Sequence, residues 1–152
     1  MTYSIKIKEE DFILHPSGAL FWKQKAMLLL ADVHLGKVTH FRKHGAAVPT
    51  HVAYENLEKL TEVVNHFQPE TVCFLGDLFH STINSEWQDF VKWVAYTPSK
   101  VVLISGNHDI IPKYLFEDIN VEVLEEQIID GFYLTHHPTE HKTLFNFCGH
   151  IH

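Results

Sequence analysis

Three short apolar runs, "KAMLLLA", "ETVCFLG" and "KVVLISG", each pass straight into polar chemistry. The first leads to Asp32 and His34, the second to Asp77 and His80, the third to Asn107, His108 and Asp109. A brief apolar run bounded by turn residues is what a strand buried on both faces requires. The stretches between these runs change period. After Pro49, Thr50 is placed to cap a helix whose Leu57, Leu60, Val63, Val64 and Phe67 recur on one side. Asn84 or Ser85 opens a second helix, with Trp87, Phe90, Val91 and Val94 on one face, closed before Pro98. Strand and helix in alternation predict β-α-β-α-β with a largely parallel sheet.

The flanks read differently. "SIKIK" and "FILHPSGALFW" are strands, the latter folded about a Pro-Ser-Gly turn into a hairpin. After the third apolar run come "NVEVLEE", "QIIDGFYLTHH" and "KTLFNFCGHIH", short strands with Asp130-Gly131 as a hairpin turn. These later strands are expected to form a second sheet packed on the first, giving an α/β two-sheet sandwich flanked by helices. The chain has 152 residues and contains no repeat, low-complexity segment or linker, so a single domain over 1–152 is expected.

Ligands of open α/β folds gather beyond the carboxyl ends of the strands. The three runs end there in Asp, His and Asn; two later strands end in His136 or His137, and in His150 and His152. One Asp-x-His is ordinarily a capped turn, and Gly-Asp at a strand end is often nothing more. Their coincidence at five strand ends points to metal. The 13 histidines of the chain fit that reading, and carboxylate, amide and imidazole donors without cysteine suit Mn, Fe or Zn in a hydrolytic site. The set is too large for one ion, and a carboxylate can bridge two, so a dinuclear centre is expected. Cys73 and Cys148 lie in apolar stretches and read as buried thiols, not a disulfide framework. "MTYSIKIKEE" is too charged for a signal peptide, and no apolar run approaches the ~20 residues that span a bilayer. A cytoplasmic protein without membrane contact is expected.

The ordered set Asp32-x-His34, Gly76-Asp77-x-x-His80, Gly106-Asn107-His108-Asp109, a lone strand-end histidine and Gly149-His150-x-His152 resembles the calcineurin-like metallophosphoesterases, from about residue 26 onward. A narrower likeness lies in "LLLADVHLGKVTHFRKHGAAVP" and "TLFNFCGHIH", which are similar to the ligase-associated DNA damage response endonucleases, a bacterial branch. Archaeal phosphoesterases of unknown substrate share part of it. The resemblance implies an αββα architecture, one metal on Asp32, His34 and His152, the other on Asn107, His136 and His150, and Asp77 bridging both. His136 is preferred to His137 because it follows directly on "FYLT". The resemblance implies two divalent ions, Mn first among them, roughly 3.5–4 Å apart, which acidify a bridging water so that the hydroxide it leaves attacks phosphorus in line. The resemblance makes His108 the residue that stabilises the transition state or protonates the leaving alkoxide, with His80 assisting on the phosphate or supporting its loop. Relatives usually continue past Gly-His-x-His, so the domain is expected to be shortened there.

A formal charge of −7 excludes a globally basic nucleic-acid binder. The one concentrated basic patch is "GKVTHFRKHG", where Lys37, Arg42 and Lys43 stand among His40, Phe41 and His44. It is either a solvated loop or a clamp for phosphates flanking the scissile one, with Asn107 also touching substrate. Three classes of function follow: a nuclease or phosphodiesterase acting on DNA, the same chemistry on a small nucleotide or phosphoprotein, and a catalytically impaired metal-binding domain. The first is preferred, and the resemblance adds functional association with a DNA ligase and a helicase.

Overall fold

The computed structural model describes residues 1–31, 33, 51–79, 85–105 and 111–149, with 51–56 and 85 described by backbone alone. A seven-stranded sheet runs in the order β1 (Tyr3–Ile7), β2 (Glu10–Leu14), β3 (Leu20–Trp22), β4 (Met27–Leu30), β5 (Thr71–Phe74), β6 (Lys100–Ile104) and β7 (Val121–Leu124). The first four pair antiparallel, and β4 to β7 are parallel. A smaller sheet holds β8 (Gln127–Ile129), β9 (Phe132–Thr135) and β10 (Phe145–Cys148), with β9 between the others. Helices α1 (His51–Phe67), α2 (Ser85–Tyr96) and α3 (Lys113–Glu117) connect the parallel strands.

Alternation along each strand decides which layer each side chain joins, because successive residues point to opposite faces. Leu28, Val72, Phe74, Val101, Leu103, Val121 and Val123 pack with Leu60, Val63 and Val64 of α1, Trp87 and Phe90 of α2 and Phe116 of α3. Their neighbours Leu29, Cys73, Val102 and Ile104 turn the other way, onto Phe132 and Leu134 of the smaller sheet. The parallel strands are therefore buried on both faces, which is why they read as unbroken apolar runs. The N-terminal strands join this second layer through Phe12 and Trp22, whose rings lie 5.3 and 4.8 Å from that of Phe132.

Two details depart from expectation. "NVEVLEE" was expected among the strands of the second sheet, yet β7 pairs parallel with β6 in the large one. The reason is α3, five residues too short to show a helical period, which carries the chain across to make another β-α-β unit. The first hairpin also turns on Lys8 and Glu9, both with positive φ (50° and 69°), the geometry of a two-residue turn matched to strand twist. The Asp130-Gly131 turn is as expected, with φ of 46° and 87°. Asp130 pairs with Lys25 and the Lys8 ammonium donates to the Thr143 carbonyl, tying the sheets at the edge away from the strands' carboxyl ends. Among the described residues no helix is long and apolar enough to cross a membrane.

Candidate metal centre

Register brings the ends of the parallel strands level. Leu30 of β4 stands opposite Phe74 of β5, Phe74 opposite Leu103, and Ile104 opposite Leu124. Strands β4, β5 and β6, after which Asp32, Asp77 and Asn107 follow in the sequence, therefore end level along one edge. In the smaller sheet Thr135 is paired with Cys148, so β9 and β10 also finish side by side, one residue before His136 and two before His150.

At that edge the second strand delivers its carboxylate through an unusual turn. Gly76 has φ +79° and Asp77 φ +47°, both left-handed, where glycine and the short polar Asp are tolerated best. Leu78 and Phe79 then plug back into the helix-side core at 1% and 7% exposure, which anchors the turn and leaves Asp77 at the rim. His136 arrives from the other sheet. It lies on the same face of β9 as the buried Phe132 and Leu134, and it is itself only 6% exposed.

The two sheets meet through this histidine. His136 Nδ1 is 3.0 Å from the Leu75 carbonyl oxygen. A carbonyl only accepts, so Nδ1 carries the proton and donates it. The ring rests where a Gly76 side chain would be, since a Cβ built there falls 1.9 Å from Nδ1. Nε2 is then turned toward Asp77 Oδ1 at 3.5 Å. An imidazole nitrogen and a carboxylate oxygen are both metal donors. Two donors held about 2.1 Å from one tetrahedral ion lie about 3.4 Å apart, so the pair fits a divalent metal. Fixing Nδ1 through a backbone carbonyl is the usual way a histidine ligand is oriented.

His137 is exposed, with its ring packed against that of His136 at 4.5 Å. Both line a cleft of about 210 Å³ with Ser105, Glu125, Glu126 and Tyr133. Tyr133 donates its hydroxyl to the Glu126 carboxylate, which raises the phenol pKa. Cys73, fully buried in β5, has its thiol pushed up to about 12 by burial and offers no thiolate for chemistry.

Of the expected site residues, the structure brings Asp77 and His136 together. Asp32, His34, His80, Asn107, His108, His150 and His152 lie outside the described residues, as do Lys37, Arg42 and Lys43. Among the described residues no group of three or more His, Cys, Asp or Glu forms a cluster able to hold a metal. Sequence reasoning missed the Leu75 carbonyl and the space above Gly76. Neither has a signal in residue type, because one is backbone and the other is the lack of a side chain.

A large mixed sheet with a second sheet packed on it and helices at its flank matches the metallophosphoesterase fold. The chain belongs to the calcineurin-like phosphoesterase family, whose model matches residues 26–152. It is thus a metal-dependent phosphoesterase, a hydrolase of phosphoric esters. Among solved structures it is similar to the nuclease MPE of Pseudomonas putida, with a TM-score of 0.81 and 26% identity over 100% of this chain and 74% of that one. It also shares its fold with the protein AQ665 of Aquifex aeolicus, of unknown function, at a TM-score of 0.53 and 20% identity, over 76% of this chain and 62% of that one. No curated protein matches it.

Proposed function

We propose that this chain is a nuclease or phosphodiesterase that hydrolyses phosphodiester bonds in DNA with two divalent ions, Mn first, with Fe or Zn as alternatives. The observation that carries the reading is the apposition of Asp77 and His136 at the carboxyl edge, oriented by the Leu75 carbonyl. Asp32, His34 and His152 hold one ion, Asn107, His136 and His150 the other, and Asp77 is shared. Bound there, a pair of divalent cations acidifies water and neutralises charge on the attacking and leaving oxygens. His108 gives its proton to the leaving alkoxide oxygen, His80 supports the phosphate, and Asn107 also contacts substrate.

Likeness to a nuclease along the whole chain supports a polynucleotide substrate, and Lys37, Arg42 and Lys43 then grip the flanking phosphates. The motifs shared with the ligase-associated branch support a cytoplasmic setting alongside a DNA ligase and a helicase. A small nucleotide or phosphoprotein is the second reading. It is favoured by the net charge of −7 and by the exposed Glu125 and Glu126, whose carboxylates repel a polyanion on that side of the cleft.

Cleavage of single-stranded DNA and of a chromogenic phosphodiester, both with Mn²⁺, separates the two. In the double variant Arg42→Glu, Lys43→Glu, the ratio of kcat/KM on DNA to that on the small diester should fall about ten-fold or more. The salt dependence of DNA binding should flatten with it. An unchanged ratio would contradict the DNA assignment.

A further inference from the structure

We propose that Asn146 is a positioning residue for the His136 side of the centre, an inference that rests on reading Asp77 and His136 as metal donors. Asn146 is the one polar side chain between Phe145 and Phe147 in β10, and it stands opposite Tyr133 of β9 in the parallel register. Its amide is used at both ends. The Tyr133 carbonyl can only accept and lies 2.8 Å from Nδ2, while the Thr139 N–H can only donate and lies 2.9 Å from Oδ1. These two partners settle which end is which.

Nδ2 also donates to the Thr135 hydroxyl at 2.9 Å, and that hydroxyl passes its own proton to the His137 carbonyl at 2.6 Å. The Thr139 hydroxyl donates to the same carbonyl at 2.9 Å. One side chain from β10 therefore holds Thr135 and, through it, His137, the residues on either side of His136. It holds Thr139 as well, where the loop leaves the site. Thr135 is buried at 6% exposure, so the bonds made by its hydroxyl are partly shielded from water, whereas those of Thr139 lie at the surface. The His136 ring is located by Leu75 and Gly76, and its backbone by this knot. Since β10 also leads toward His150, Asn146 couples the two strand ends that supply imidazoles to the centre.

Partners that orient metal ligands typically cost about 10–100-fold in metal affinity when removed. The test is Mn²⁺ titration by calorimetry of the full chain stripped of metal, together with the melting temperature of the metal-free protein. Asn146→Leu and Thr135→Val should each weaken Mn²⁺ binding, by about 10–100-fold for Asn146→Leu. Thr135→Val carries the test alone if Asn146→Leu does not fold. Ser99→Ala is the control: it removes a buried 2.7 Å bond to the Pro69 carbonyl at the opposite edge of the large sheet. It should lower the melting temperature and leave Mn²⁺ affinity unchanged. If the variants melt lower yet bind Mn²⁺ like the wild type, Asn146 is merely structural and the inference is wrong. If the wild type itself takes up no divalent metal, the reading of Asp77 and His136 fails first and takes this inference with it.

Discussion

At φ +79° Gly76 already occupies a conformation that strains any side chain, and a methyl group there lands 1.9 Å from the His136 ring. Gly76→Ala must therefore push the histidine off the Leu75 carbonyl or unwind the turn that presents Asp77. Left-handed strain and overpacking together should cost about 2–4 kcal/mol, measured by denaturant unfolding. A variant as stable as wild type would show that the ring moves aside freely. Asp77 and His136 drew notice in the sequence because metal chemistry admits few side-chain types, and the structure sets the two side by side; their metal role is the proposal. Which of His136 and His137 points inward was also within reach. Counting by two from Phe132 and Leu134 puts His136 on the inward face. Asn146 left a fainter trace, a lone amide between two phenylalanines, whose partners only the register of β9 and β10 discloses.

The elements owe their positions to core packing across the large sheet. Phe74 of β5 is wholly buried, with its ring 6.3 Å from Phe90 and 6.1 Å from Trp93 of α2. Two residues further along the chain the turn that carries Asp77 begins. Phe74→Ala should lower stability by about 3–5 kcal/mol, whereas Tyr96→Ala, at 88% exposure on the same helix, should stay within about 0.5 kcal/mol. Thermal unfolding of the two variants measures the contrast, and equal losses would mean that α2 is not docked through Phe74. The long helices and parallel strands were readable because a continuous apolar run and a helical stripe are strong periodic signals. The short α3 and the sheet membership of β7 were not, since a five-residue helix completes hardly more than one turn and pairing is a long-range choice.

For the whole molecule, the architecture matters because it aims two sheets at one edge. The four parallel strands of the large sheet contribute a row of level ends, the three-stranded sheet packs against them, and the buried His136 joins the layers beside Asp77. That convergence was foreshadowed by polar residues at five strand ends, though the way the sheets face each other is a property of packing that no local pattern contains. If Asp77 is shared by both ions, its charge cannot be replaced by an amide, which bridges two cations poorly. The most direct test is elemental analysis of purified Asp77→Asn beside the wild type. Two equivalents of divalent metal in the wild type and loss of both in the variant are expected, with hydrolysis lost in step. A variant that retains two equivalents would contradict the account.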